Sequence, residues 1–351
     1  MAKQNVIICQ NITDTLQQIV AKGGYPSIFI LTDSNTGRIC LPRLRTIPEL
    51  ANAKATEIPA GDENKNIEHL ANIWQFLSNN GATRKSLMIN LGGGMITDIG
   101  GFAASTFKRG MAYINIPTSL LGTIDAAVGG KTGINFNGLK NEVGVINPAD
   151  YVLIDPEFFR TLDHDNFLSG YAEMLKHGLI SSKEELLKVL KFDLQNVDFE
   201  EFKKLLESSI AVKEYFVEKD PKEQNIRKAL NFGHTIGHAI ESYSHEIGKP
   251  ILHGYAVAFG MVCELYLSHI KTGFPLDLMR QINALIYENY RKFDFGCKSY
   301  DRLYELMTHD KKNTSSEINF TLLANVGELK INQTATKEEI FEALDFYRDA
   351  N

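Results

Sequence analysis

The chain of 351 residues contains no apolar run near the roughly 18 residues that a membrane-spanning helix needs. It has little cysteine. The four residues, Cys9, Cys40, Cys263 and Cys297, show no CxxC or other ligand spacing. That excludes a cysteine zinc centre and a disulfide framework, and it predicts reduced thiols in a cytoplasmic protein. Excess positive charge is also missing: 37 Lys and Arg stand against 43 Asp and Glu, a formal net charge of -6. A nucleic-acid binder would carry a basic stripe, so nucleic acid is excluded as a partner, whereas a small anionic substrate is not. The apolar stretch within MAKQNVIICQNITDT is too short for a secretory signal, which again predicts a cytoplasmic location with no membrane partner. Internal repeats and low-complexity segments are lacking too.

What is present is an ordinary globular balance, with 44% hydrophobic and 23% charged residues. The length exceeds what one hydrophobic core usually serves, so two domains are expected. In the first half, short runs rich in Ile, Val and Leu (NVIICQ, SIFILTDSN, SLMINLGGG, AYINIP, DYVLID) alternate with segments of helical period such as ITDTLQQIVAKGG and NIEHLANIWQFLSNNG. This alternation predicts an α/β domain with a parallel sheet covered by helices on both faces. Beyond Pro156 the helical period takes over, from DNFLSGYAEMLKHGLI to DLMRQINALIYENYRKF, with INFTLLAN as one small strand. The boundary is expected near residue 160, giving domains 1–160 and 161–351.

Four stretches carry chemistry. Gly92, Gly93 and Gly94 end a strand and open a helix, which suits a pyrophosphate at a helix N-terminus or simply a tight turn. Asp98 lies one turn into that helix. DAAVGGKTGINFNGLKNEVG reads as a long glycine-bearing loop. In it Lys131, Lys140 and Asn141 either grip a phosphate or belong to a solvated loop. Glu173, Lys176 and His177 share one helical face, as a site or as a surface ion pair. His234 and His238, at i and i+4, are either metal ligands from one helix or ordinary core or surface histidines, while His245 is expected past the helix end. A catalytic zinc takes three protein ligands, so a third group would have to come from elsewhere. His253 has no local feature that marks it.

Taken together, GGGMITDIGGFAASTFKRG, NIPTSLLGTIDAAVGGKTGIN, GLKNEVG, YAEMLKHG, ALNFGHTIGHAIE, LHGYAVAFGM and DKKN, in this order, resemble the 3-dehydroquinate synthase family of sugar-phosphate cyclases. The resemblance covers about residues 30–325. It implies a Rossmann-like N-terminal domain, an all-α C-terminal domain and a homodimer. It also implies a metal held by Glu173, His234 and His253, with His253 identified by HGYAVAFGM and not by spacing. His238 and Asn231 would serve the substrate. So would Lys131, Asn141, Lys176, Lys213, Arg227 and Lys311, supported by Asp125 and Glu223. Arg109 would reach the phosphate in the neighbouring subunit's site. The dinucleotide would meet Gly93, Gly94 and Asp98, with Asp33, Asn35, Asp62 and Lys65 on one side of the pocket. Thr118, Ser119, Lys140 and Thr161 would complete it.

The implied cofactors are NAD+ and a divalent metal, Zn2+ or else Co2+. The implied reaction, a step of the shikimate pathway, turns 3-deoxy-D-arabino-heptulosonate 7-phosphate into 3-dehydroquinate and phosphate. It proceeds by transient oxidation, phosphate elimination, re-reduction, ring opening and aldol closure. The basic cluster suits a substrate with both a carboxylate and a phosphate. Two rivals remain: a cyclase acting on sedoheptulose 7-phosphate or another sugar phosphate without the carboxylate, and a zinc-dependent polyol dehydrogenase that would accumulate NADH.

Overall fold

The β-branched and aliphatic runs of the first half become eight strands: β1 (Asn5–Ile8), β2 (Ile28–Asp33), β3 (Lys54–Ile58), β4 (Leu87–Gly92), β5 (Ala112–Pro117), β6 (Lys131–Phe136), β7 (Leu139–Ile146) and β8 (Tyr151–Ile154). The structure is a computed structural model that describes residues 4–308 and 318–349. Six of these strands form one sheet in the order β1-β8-β5-β4-β2-β3, with every neighbouring pair parallel. All six residues of β4 are buried, as a central parallel strand covered on both faces requires. Helices α1 (Ile12–Gly23), α2 (Ser34–Ile39), α3 (Leu41–Leu44), α4 (Ile67–Asn79) and α5 (Gly94–Thr106) fill the crossovers and connections. Helix α1 shows why such segments are helical. Asn11 caps its first turn, Ile12, Leu16 and Val20 line its buried face, and Gly24 stops it with φ 59°.

Three features of this half differ from the sequence expectation. SIFILTDSN, expected only as a strand, runs straight on into a helix: Asp33 caps α2 through bonds from the Asn35 and Thr36 amides. KATEI, unmarked by alternation, forms the edge strand β3. DAAVGGKTGINFNGLKNEVG is no long loop, because β6 and β7 pair antiparallel from Lys131↔Ile146 to Phe136↔Leu139. Asn137 (φ 50°) and Gly138 (φ 78°) make the turn, so the Asn-Gly pair was the hairpin signal.

The chain splits into two units, Met1–Asp163 and His164–Asn351. The second is helical: α6 (His164–Ser181), α7 (Lys183–Lys191), α8 (Phe199–Lys219), α9 (His234–Glu246), α10 (His253–Thr272), α11 (Leu276–Asn289), α12 (Tyr300–Thr308) and α13 (Lys337–Asp349). One antiparallel hairpin, β9 (Asn319–Asn325) with β10 (Glu328–Thr334), accompanies them. The expected strand at INFTLLAN is β9; its partner ELKINQT alternates polar with apolar residues, a strand period absent from the sequence expectation. Helices α6 and α10 are buried along most of their length. His245 lies inside the last turn of α9, not past its end. Among the described residues, no helix is long and apolar enough to cross a membrane.

Candidate active site

In the first unit, strand β4 delivers Gly93 to the N-cap of α5, so the amides of the first turn open at the strand's C-terminal end. A Cβ on Gly93 would stand 3.1 Å from the Ser119 hydroxyl, so the backbone is open to close approach only without a side chain. The Thr118 amide bonds the Gly92 carbonyl at 3.0 Å, which places the β5 loop beside the glycine turn. Asp98 sits at the next turn of α5, and the buried Lys65 ammonium joins it at 3.0 Å to Asp62 at 3.3 Å. Lys140 reaches the same Asp62 carboxylate at 3.6 Å, and the Asn135 amide donates to it at 3.2 Å. Four expected cofactor residues, Asp62, Lys65, Asp98 and Lys140, thus form one network.

Electrostatics divides the two acids. Burial pushes the Asp98 carboxyl up, and Lys65 only partly offsets it. Burial also opposes ionisation of Asp62, but Lys65 and Lys140 outweigh it and hold that group low. The remaining cofactor candidates are placed less distinctively. Asp33 and Asn35 are engaged in the start of α2, and the Thr161 hydroxyl donates to the Phe158 carbonyl at 2.8 Å. Asp125 is half-buried in a short π-helical turn, and Lys131 and Asn141 are exposed on the β6–β7 hairpin. Arg109 is exposed and follows Lys108 in the left-handed region, at φ 68° and 50°. Two such non-glycine residues in a row store strain of about 1–3 kcal/mol each, a cost that tends to persist where a side chain must be aimed.

In the second unit, Glu173 on α6 is fully buried, with its Oε2 paired to the Lys176 ammonium. Its Oε1 faces His234 Nε2 at 3.4 Å and His253 Nε2 at 3.7 Å. His234 is the first residue of α9 and His253 the first of α10, so two helix starts meet the middle of α6. His238 stands one turn along α9, its ring centre 5.2 Å from His234 and 5.7 Å from His253. The donor atoms of the three histidines lie within 4.8 Å of one another. The other ring nitrogens are engaged: His234 Nδ1 with the Phe232 carbonyl at 3.0 Å and His253 Nδ1 with Glu241 at 3.0 Å. Both partners only accept, so each Nδ1 carries the hydrogen and each Nε2 is left to the centre.

A buried carboxylate that turns one oxygen toward the Nε2 atoms of two imidazoles fits a divalent cation at that point. Lys176, also fully buried, pairs with Glu173. Burial opposes ionisation of Glu173, but Lys176 and then His234 hold its pKa well below the usual carboxylate range. Burial pushes His234 down to about 3, with Lys176 acting in the same sense. Burial also opposes a proton on His253, yet Glu241 and Glu173 outweigh it and push the pKa up to about 10.

The expected substrate groups of this unit are mostly internal. Lys213 on α8 and Arg227 are buried. Arg227 Nη1 donates to the Pro221 carbonyl at 2.9 Å, and its backbone amide bonds Asp220 at 3.2 Å. Asn231 donates to Glu223 at 2.7 Å, and Glu223 itself has φ 56°. Lys311 lies outside the described residues. Two acids were missed. Glu241 follows His234 and His238 at i+7 and i+3, a same-face spacing that could have found it. Glu264, a lone acid in the apolar run VAFGMVCELYL, accepts from the Gly233 amide at 2.7 Å and the Ile236 amide at 3.2 Å, capping α9 from a neighbouring helix.

Comparison with known proteins adds three findings. Family models described as 3-dehydroquinate synthase N-terminal and 3-dehydroquinate synthase C-terminal match residues 55–169 and 170–313. A 3-dehydroquinate synthase of Parabacteroides distasonis is 57% identical over 350 residues, covering 100% of this chain and 99% of that one. One from Clostridium tetani is 38% identical over 91% of this chain and 85% of its own. Among solved structures, a 2-epi-5-epi-valiolone synthase from Streptomyces hygroscopicus with NAD+ and Zn2+ bound superposes with TM-score 0.86 at 23% identity, covering 99% of this chain and 97% of that one. An iron-containing alcohol dehydrogenase from Thermococcus thioreducens reaches 0.71 at 16%, covering 100% of each. These last two establish a shared fold.

Proposed function

Because the chain belongs to the 3-dehydroquinate synthase family, we propose how its own residues carry that family's reaction. The protein is a phosphorus-oxygen lyase of this family. It closes 3-deoxy-D-arabino-heptulosonate 7-phosphate to 3-dehydroquinate with release of phosphate. The observation that carries this reading is the full-length match to the Parabacteroides enzyme. The roles below rest on the geometry.

Glu173, His234 and His253 would hold Zn2+ or Co2+, and the Gly93–Gly94 turn with Asp98, Asp62 and Lys65 would hold NAD+; when bound, the metal polarises the substrate's hydroxyl oxygens and the nicotinamide takes and returns a hydride. Lys176 holds developing negative charge on the substrate next to Glu173, where burial strengthens every charge interaction. Lys213 and Arg227 bind the substrate carboxylate. The bond from Arg227 to Pro221 fixes the plane of the fork, which favours two-point recognition. His238 and Asn231 face the phosphate, with Glu223 orienting the Asn231 amide. Within the first unit, Lys131, Asn141 and Asp125 are the polar groups we assign to the substrate.

We assign the working form to a homodimer in the cytoplasm. Phe136, Leu139, Val143, Val145 and Ile146 are exposed on the β6–β7 hairpin, a row of apolar side chains that a second copy would cover. Arg109, held in its unusual backbone conformation, is the residue we assign to the partner's substrate phosphate. The test is one assay. Purified protein, NAD+, Zn2+ and the seven-carbon acid phosphate should give phosphate and 3-dehydroquinate in equal amounts. Turnover only with sedoheptulose 7-phosphate would replace the substrate, and net NADH would point to a polyol dehydrogenase.

A further inference from the structure

We infer that Glu241, which is not among the three ligands, is a positioning residue for the metal. It holds His253 in the tautomer and ring orientation that turn Nε2 toward Glu173, an inference that rests on the ligand set proposed above. Glu241 is 5% exposed and its Oε2 lies 3.0 Å from His253 Nδ1. An ionised carboxylate can only accept there, so Nδ1 keeps its hydrogen and Nε2 is the nitrogen that is left to the metal. His253 needs this support. It is the first residue of α10, its side chain is 23% exposed, and its N-cap neighbour Leu252 offers no side-chain bond. A ring at a helix start would otherwise turn about its first two side-chain torsions.

The carboxylate is itself well anchored. Glu241 sits on α9, and Glu264 from α10 caps that helix through the Gly233 and Ile236 amides. The two helices press together where no side chain intervenes, because a Cβ on Gly260 would overlap the Gly233 carbonyl oxygen. Each histidine-bearing helix thus supplies an acid that fixes the other. The carboxylate therefore reaches the ring from a fixed backbone.

Co2+ serves as the probe. Metal-stripped protein is titrated with Co2+ against a competing chelator, following the visible absorption of the bound ion, with thermal melting as the check on folding. Glu241→Ala is expected to bind Co2+ about 10- to 100-fold more weakly, with an altered absorption band. Glu241→Gln keeps an acceptor oxygen and is expected to recover most of the loss. Wild-type affinity in Glu241→Ala would overturn the inference, as would a Gln variant that folds yet binds as weakly as Ala. His253→Ala is the control. If it binds like wild type, the ligand set itself is wrong. If it loses the metal while Glu241→Ala does not, only the present inference fails.

Discussion

At the scale of single residues, the centre in the second unit separates three histidines that look alike in sequence. His234 and His253 present Nε2 to Glu173, whereas His238 faces the same space from one turn along α9. His234→Ala and His253→Ala should both lose bound zinc, and His238→Ala should keep it while losing turnover. Metal content after dialysis and kcat separate these outcomes; zinc loss in His238→Ala would move the ligand assignment. The charges also predict a pH dependence. His253 is pushed up to about 10, so the metal-free protein carries that proton at neutral pH and zinc must displace it. His234, pushed down to about 3, is already neutral. Zinc affinity should therefore rise about tenfold per pH unit from roughly pH 5 to pH 9, with one proton released. Calorimetry in buffers of different ionisation enthalpy counts that proton. In the first unit, Lys65→Met would leave Asp62 and Asp98 facing each other, and should lower stability by about 1–3 kcal/mol while weakening NAD+ binding.

At the scale of elements, two pairings position the groups. Helices α9 and α10 meet through glycine, so the backbones come close enough for both first-turn histidines to reach one carboxylate. Gly260→Ala must push them apart. Overpacking of this kind costs about 1–3 kcal/mol, and it should also reduce Co2+ affinity, measured by the same titration. The β6–β7 hairpin is the second. Its Asn137–Gly138 turn is a hairpin signal, but one glycine in each strand and the polar run Lys140, Asn141 and Glu142 in β7 obscured the alternation that reveals most strands. The central strands were legible for the opposite reason: buried on both faces, they are mostly apolar runs such as LMINL and AYINI. Strand β3 and helix α2 were not, being short and set by neighbours, β3 by pairing with β2 and α2 by the Asp33 cap.

At the scale of the whole molecule, the proposed dimer makes a quantitative prediction. If Arg109 serves the partner's site, Arg109→Ala and Lys176→Met homodimers should each be nearly inactive. Their mixture, after subunits exchange, should regain activity. The site of the Arg109→Ala subunit would borrow Arg109 from its Lys176→Met neighbour, so random pairing restores about a quarter of all sites. No recovery despite proven exchange would place Arg109 within its own subunit's site. A charge in the apolar hairpin row, such as Val143→Glu, should shift the sedimentation coefficient toward the monomer.

The order and kind of the main elements, the glycine turn before α5 and a candidate histidine pair could be read from the sequence, because burial pattern and capping are local properties of the chain. The family could be read as well, from seven motifs in order. Local pattern could not single out His253 as a ligand or separate His234 from His238. A helix period reports which residues share a face, not which faces meet. Only the packing of α9 and α10 against α6 brings Glu173, His234 and His253 to one point, and only that packing sets Glu241 of α9 against His253 and Glu264 of α10 against the Gly233 and Ile236 amides that open α9.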